Sequence, residues 1–405
     1  MQSLTLDRLL STLTKHGEHI SMKAMILAAG QGTRVRPLTY TVPKPMIPLI
    51  RKPVMESLIE HLASFGVEDI VINTSHLSSV IENYFSDGKR FGVNIGYSFE
   101  GEIVDGEVRA EAVGSAGGMK KIQEHSGFFD DTFVVLCGDA FVDLDLDKVL
   151  QFHKSRNSMA TIVMRDVPRS EVAKYGVVQT DESGRILRFQ EKPDEREAVS
   201  TTINTGIYLF EPEIFNHIPK ACVYDIGGEL FPKLVEQNIP FYGVTSEFQW
   251  LDIGSIPDYW AVSREVVSGK LDGYELPGRE IMPGVRVGIN VNVPWDEIEI
   301  TCPVYIGGSS QIQPGAKIIG PTIIGQSCVI ESGAMVKECI VDDYKRIRRN
   351  TEIRQTILFG DHCISPSGFA ELLVESTSNN IACDARMPVE CDNQAMSLLA
   401  NAKSY

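Results

Sequence analysis

Through the first two thirds of the chain, apolar residues fall in short blocks of two alternating kinds. Residues 24–29 form a continuous apolar run with the length and bounding of a buried parallel strand, and it empties into Gly30-Gln31-Gly32-Thr33-Arg34. Val54, Leu58, Ile59, Leu62 and Phe65 then recur at helical spacing, behind Pro53 and ahead of Gly66. The pattern goes on as a strand over 69–73, a helix over about 77–85, a strand over 94–99, a helix from near 116 and a strand over 132–137. Later strands around 175–178 and 189–193 are joined by the turn Asp181-Glu182-Ser183-Gly184. This alternation predicts an α/β fold, a Rossmann-like doubly wound mixed sheet whose ligands bind beyond the carboxyl ends of its strands.

The period changes in the last third. Ile306, Ile312, Ile318, Ile324, Ile330 and Val336 fall on every sixth residue, and Ser310, Ala316, Thr322, Cys328 and Ala334 make a second six-residue register of small side chains. Neither a helix nor a sandwich has that period; the three-sided coils of a parallel β-helix do, with the aliphatics stacked inside. Beyond Val336 the register slips and resumes at Ile347 and Ile353, and Lys345, Arg346, Arg348 and Arg349 fall in the interruption, where a charge run reads as a solvated loop. The resulting domains are 1–21, an N-terminal extension of no assigned role; 22–268, the α/β domain; 269–300, a linker; 301–364, the coil of hexapeptide repeats; and 365–405, a tail.

At 405 residues the chain exceeds one typical core, which agrees with two domains. No uninterrupted apolar run is long enough to span a bilayer, and residues 1–21 lack the apolar core and small-residue cleavage site of a secretory signal. Eight cysteines without a C-x-x-C pair read as small core residues in a reducing compartment, the cytoplasm. Net charge is −16, yet the stretch 23–55 holds Lys23, Arg34, Arg36, Lys44, Arg51 and Lys52 and no carboxylate. A basic island in an acidic chain suits a small polyanionic ligand rather than nucleic acid.

Several residues stand where chemistry could occur. Ala29, Gly30, Gly32 and Thr33 form a turn whose N–H groups can converge on phosphate, with Arg34 and Lys44 held nearby by Pro37, Pro43, Pro45 and Pro48. Gly114-Ser115-Ala116-Gly117-Gly118 is a second glycine-rich turn ahead of a helix. Asp139 follows a buried strand, where a turn cap and a metal ligand fit its spacing equally. Asp143, Asp145 and Asp147 read as caps of the next helix. Asp252 fits an N-terminal cap of the following helix, and Glu191-Lys192 an exposed ion pair in a hairpin.

The string G-x-G-T-R-x-R-P-L-T-x-x-x-P-K-P from Gly30 to Pro45 closely resembles the signature of the sugar-1-phosphate nucleotidyltransferases. That resemblance implies that the first glycine loop wraps an NTP triphosphate, with Arg34 and Lys44 as its cations. It implies that Gly114 lies near the base and sugar, although Ser115 replaces the family's Thr and Ala112-Val113 stand where a proline is usual. Asp139 and Asp252 match the family's two Mg²⁺ carboxylates, and two carboxylates with phosphate oxygens suit that hard, partly hydrated ion. Gly176, Glu191, Lys192, Asn204 and Gly206 match the sugar-phosphate site.

The implied reaction joins an NTP and a sugar-1-phosphate into a nucleotide-sugar and pyrophosphate. From the two-domain layout the resemblance is to mannose-1-phosphate guanylyltransferases with a C-terminal left-handed β-helix, so the expected substrates are GTP and mannose-1-phosphate. A glucose-1-phosphate uridylyl- or thymidylyltransferase is the alternative, and a nucleotide-sugar-binding regulatory subunit without turnover a third. The expected partners are these small molecules, with no nucleic acid and no membrane, and a homo-oligomer formed through the β-helix.

Overall fold

The apolar block behind Met22 forms β1 (Lys23–Leu27), whose middle residues Ala24, Met25 and Ile26 are fully buried. It belongs to a computed structural model that describes residues 22–104, 107–373 and 382–386. The chain divides into two units: one takes the segments up to Gly30, Leu58–Gly138 and Leu144–Phe248, the other Gln31–Ser57, Asp139–Asp143 and the chain from Gln249. The expected extension 1–21 and residues 387–405 lie outside the described residues. Among those described, no helix is long and apolar enough to cross a membrane.

The first unit is built on a nine-stranded sheet. After β1 come β2 (Asp69–Thr74), β3 (Asn94–Phe99), β4 (Phe133–Cys137), β5 (Ala160–Asp166), β6 (Gly176–Thr180), β7 (Ile186–Glu191), β8 (Thr202–Phe210) and β9 (Phe241–Thr245). They run in the order β7-β6-β8-β4-β1-β2-β3, with β5 paired to β8 and β9. β1 is parallel to β2 and β4, whereas β8 is antiparallel to β4 and β5, so the sheet is Rossmann-like and mixed as expected. The helices that alternate with the strands include α1 (Ser78–Phe85), α2 (Ser115–Ser126), α3 (Leu146–Ser155) and α4 (Phe231–Glu236). Asp145 caps α3, its side chain accepting from Lys148 N at 3.1 Å. The central core is aromatic, with Phe133 and Phe215 stacked 5.7 Å apart among Phe129, Phe210, Phe231 and Phe241.

The second unit contains the coil. Val285–Val287, Val304–Ile306, Thr322–Ile324, Ile340–Val341 and Ile357–Phe359 form one parallel ladder. Glu299–Thr301, Lys317–Ile319, Met335–Lys337 and Glu352–Arg354 form a second, and Gln311–Ile312, Val329–Ile330 and Lys345–Ile347 a third. Ile306 pairs with Ile324, Ile312 with Ile330 and Ile318 with Val336, so three six-residue sides make one turn. In the next turn Ile330 pairs with Ile347 and Val336 with Ile353, one residue fewer, which is the slip seen in the sequence. Both registers point inward: Ser310, Ala316, Thr322, Cys328 and Ala334 are fully buried beside the stacked aliphatics.

Two readings of this unit change. Only half of the basic run is a loop: Lys345 and Arg346 lie on a strand, Lys345 is buried with its Nζ donating to Gly360 O at 2.6 Å, and Arg346 pairs with Glu331 at 3.2 Å, while Arg348 and Arg349 follow in a turn where Arg349 is exposed. Asp143 caps no helix, because its carboxylate accepts from the Gln249 backbone and, at 2.9 Å, from Gln249 Nε2. Within 269–300, Val285–Val287 and Glu299–Thr301 already pair in parallel with coil strands.

The outer face of the first ladder is apolar as well. Tyr305, Ile323, Ile340 and Ile357 pack with Tyr259, Val262 and Val266 of α5 (Ile256–Val267) in one buried cluster, which also takes in Val35, Leu38, Ile47 and Leu49. Ser255 caps α5.

Candidate active site

In the second unit a short strand, Ala140–Val142, pairs antiparallel with β10 (Trp250–Asp252) so that Asp252 lies opposite Ala140. Ile253 N also donates to Asp139 O at 3.2 Å, and the two segments together bring the carboxylates of Asp139 and Asp252 to one place. Lys44 stands at the start of the one-turn helix Lys44–Met46, with Pro45 fixing the first turn. Its ammonium donates a hydrogen bond to Asp139 Oδ2 and sits 3.7 Å from Asp252 Oδ1. Burial, and then the Asp139 charge, push the Asp252 carboxyl up to about 6 against the pull of Lys44 and Arg34. Asp252 is therefore not the cap of α5; Ser255 is.

Sequence reasoning missed a third carboxylate. Asp258 Oδ2 accepts from Ser255 Oγ at 2.6 Å, and a side chain on Gly254 would come within 2.9 Å of Asp252 Oδ2 and 3.1 Å of Asp258 Oδ2. Its signal was an acidic residue in the first turn behind a Ser cap, which any helix can show. Among the described residues no group of three or more His, Cys, Asp or Glu side chains is arranged to hold a metal. An ion at Asp139 and Asp252 would thus draw most of its ligands from phosphate oxygens and water, which is how Mg²⁺ usually binds with substrate phosphates.

The glycines of the first loop differ in what they do. Gly32 has φ +62, and a Cβ there would lie 2.9 Å from Thr39 Cγ2 and 3.0 Å from Lys44 Cβ, so the turn requires glycine. Gly30 is exposed, and a Cβ would meet nothing within 4 Å. Thr33, Arg34 and Arg36 are exposed, the last lying over the Tyr40 ring. Lys23, counted in the basic island, is instead tied to Asp130 at 2.8 Å.

The first unit carries the remaining predicted residues. Gly176 on β6 lies opposite Glu191 on β7, and Glu191 Oε2 would stand 3.2 Å from a Cβ at Gly176 and 2.6 Å from one at Gly227. Lys192, at φ 43, donates to Glu191 Oε1 at 2.8 Å, and both side chains reach solvent. Asn204 and Gly206 lie inside β8: Asn204 Oδ1 accepts from Gly206 N and its Nδ2 donates to Tyr208 OH, both at 2.9 Å. Gly206 bends back against Cys137, where a Cβ would fall 2.7 Å from Sγ. Burial, first, raises the Tyr208 hydroxyl well above its ordinary value.

Gly114, at φ +78, would place a Cβ 2.5 Å from Tyr224 O. The Ser115 hydroxyl donates to Asp225 Oδ2 and accepts from Ile226 N, each at 2.8 Å, while Asp225 Oδ1 accepts from Gly227 N and Gly228 N. The segment Asp225-Ile226-Gly227-Gly228 was passed over in the sequence, though Asp ahead of a Gly pair is an N-cap signal. The Ser at 115 thus makes a specific bond of its own where the family pattern has Thr.

Residues 23–269 match the nucleotidyl transferase family. The chain belongs to it. It is 53% identical over 365 residues to a UTP–glucose-1-phosphate uridylyltransferase of Synechocystis sp., covering 90% of this chain and 94% of that one. It is 31% identical to a mannose-1-phosphate guanyltransferase of Hypocrea jecorina, over 83% of this chain and 86% of that one. A mannose-1-phosphate guanylyltransferase of Mycobacterium tuberculosis is 28% identical over 82% of this chain and 83% of its own. A solved Bacillus anthracis structure, described as a glucose-1-phosphate thymidylyltransferase, shares the fold, with TM-score 0.53 and 22% identity over 63% of this chain and 97% of that one. The family member described here is accordingly a sugar-1-phosphate nucleotidyltransferase.

Proposed function

We propose that this nucleotidyltransferase joins UTP and glucose-1-phosphate into UDP-glucose and pyrophosphate. The observation that carries the choice is the 53% identity to a UTP–glucose-1-phosphate uridylyltransferase across nine tenths of both chains. It replaces the expected pair of GTP and mannose-1-phosphate, relatives of which stand at 28% and 31% over about four fifths of this chain and at 35% over 59% of it.

In the proposed reaction an oxygen of the sugar phosphate forms a bond to the α-phosphorus of UTP. The bond from that phosphorus to the oxygen bridging to the β-phosphate breaks, and pyrophosphate leaves with the electron pair. No protein nucleophile or base is needed, because the attacking phosphate is already ionised near neutral pH; the barrier is mostly repulsion between like charges.

Each cluster described above has a part in this reading. Ala29, Gly30, Gly32 and Thr33 offer backbone N–H groups to the triphosphate, and Arg34 and Lys44 offset its charge. Asp139 and Asp252 would hold Mg²⁺, which when bound neutralises phosphate charge. Gly114 borders the nucleotide. In the first unit Lys192 binds the sugar phosphate and Glu191 accepts from sugar hydroxyls, two tasks that need opposite charges side by side. Gly176, Asn204 and Gly206 shape that pocket.

A pyrophosphate-release screen of the purified protein across four NTPs and a panel of sugar-1-phosphates, with Mg²⁺, tests the assignment. Preferred turnover of UTP with glucose-1-phosphate is expected. A preference for GTP with mannose-1-phosphate would overturn it.

A further inference from the structure

We propose that Asn73 and Glu100 are positioning residues for the nucleotide, joined in a relay that ties the backbone ahead of Gly30 to the turn at Gly114. The inference rests on the nucleotide-binding role given above to those two turns. Both side chains are almost fully buried, at 3% and 1% exposure, at the carboxyl ends of β2 and β3. Asn73 Oδ1 accepts from Ala28 N at 2.8 Å, and its Nδ2 donates to Glu100 Oε1 at 2.7 Å. Glu100 Oε2 accepts from Val113 N at 3.2 Å. A strand end, an amide, a carboxylate and the residue next to Gly114 thus form one continuous chain of hydrogen bonds.

The order of donors and acceptors leaves no freedom in residue type. Ala28 N–H needs an acceptor, so the Asn73 oxygen faces it and the Asn73 NH₂ must face Glu100. Glu100 then meets two donors, one at each oxygen, which a carboxyl group can accept and an amide in its place cannot. Burial, the largest influence, raises the Glu100 carboxyl, while the bonds from Asn73 and Val113 and the Lys121 charge oppose it. The first turn of α2 closes over this carboxylate: a Cβ at Gly118 would lie 2.4 Å from Glu100 Oε1 and 3.4 Å from Asn73 Nδ2. Gly118 is therefore glycine because of the relay beneath it. The backbone of Glu100 is pinned as well, with its O accepting from Ser75 Oγ at 2.9 Å and its N donating to Thr74 O.

Glu100→Gln keeps the shape and forces a donor against a donor, either at Val113, at Asn73 or, if Asn73 flips, at Ala28. Leaving such a buried group unmatched weakens what it holds by about tenfold to a hundredfold. The expected result is a rise of that size in the KM for UTP, or for whichever triphosphate the screen returns. The KM for the sugar phosphate and kcat should change by less than about threefold. Equal rises in both KM values, or a loss confined to kcat, would overturn the relay. If Glu100→Gln does not fold, Asn73→Ala, which keeps the bond to Val113, must raise the nucleotide KM selectively or the proposal fails. A wild-type protein without turnover would sink the substrate assignment alone. The relay would then be read by equilibrium dialysis with UTP: weaker binding to the variant supports it, and equal binding, or none to either protein, overturns it.

Discussion

The Lys44 ammonium stands 3.7 Å from Asp252 Oδ1 while donating to Asp139 Oδ2, so one cation serves two carboxylates, one at the end of a strand and one just ahead of its neighbour. In the proposed reaction the same ammonium faces the triphosphate. Lys44→Ala is expected to lower kcat by about 10²–10³-fold, the usual cost of removing one preorganised charge from such a site. The fold should survive, since the one-turn helix that carries Lys44 is anchored by the buried Pro45 and Met46. Pyrophosphate release, read beside a thermal melt, checks both halves; unchanged turnover would remove Lys44 from the chemistry.

Two carboxylates are a small donor set, and an ion held mainly by substrate oxygens and water exchanges readily. Treatment with a chelator should abolish turnover, and added Mg²⁺ should restore it. Asp139→Asn and Asp252→Asn should each raise the Mg²⁺ concentration for half-maximal rate and lower the maximum by about 10²-fold or more. Full activity in either variant at the wild-type Mg²⁺ requirement would sink the metal assignment.

On the residues alone Lys192 and Glu191 read as an idle ion pair, and their 2.8 Å contact, exposed to solvent, would by itself contribute little to stability. The proposed function separates the two readings. Lys192→Ala should raise the KM for sugar phosphate by about tenfold or more, leave the KM for nucleotide near its original value, and leave the melting temperature unchanged. Initial rates across both substrate concentrations decide this; an unaltered sugar-phosphate KM would return the pair to decoration.

What could be read from the sequence followed its periodicities. The strand at 94–99, the α/β alternation and the hexads from Ile306 to Val336 were legible because a buried face imposes a fixed spacing on apolar residues. Less legible were features set by contacts distant in the chain. Asp143 looked like a cap and instead binds Gln249; Lys345 looked solvated and instead reaches Gly360 O in the next turn of the coil. The site strings around Arg34 and Asp252 stood out only as whole motifs, while Asn73 and Glu100, ordinary polar residues at strand ends, carried no signal at all.

Another such contact set predicts the acid limb of stability. His153, fully buried on α3, meets Thr161 Oγ1 at 2.8 Å and Glu211 Oε1 at 3.1 Å, and Glu211 also receives Lys154 and Thr132. Burial, chiefly, holds the His153 imidazole below its ordinary 6.5 despite Glu211. For Glu211 burial acts upward, but the bonds from Lys154 and Thr132 outweigh it and leave the carboxyl below its ordinary 4.5. Both folded values lie below the unfolded ones, so both groups lend stability above the unfolded value that is lost as pH falls. The loss should begin near pH 6.5 with His153 and deepen below 4.5 with Glu211. Melting temperature should therefore fall between pH 7 and 5, and fall less in His153→Gln; equal slopes would contradict the account.

The coil offers a sharper test, because an isolated β-helix and this one differ in what lies outside it. Ile324 points into the coil and Ile323, its neighbour, points out, yet they are 0% and 4% exposed. On a free-standing coil the outward residue would face water, and Ile323→Ala would cost nearly nothing. Here Ile323 shares a buried cluster with Tyr259 and Val262 of α5, so it closes a second core on the outer face of the ladder. Ile324→Ala and Ile323→Ala should each destabilise by about 2–5 kcal/mol, the range for emptying a packed aliphatic site. Denaturant unfolding of the two variants measures this directly. A loss at Ile324 with none at Ile323 would mean that α5 does not rest on the ladder in solution.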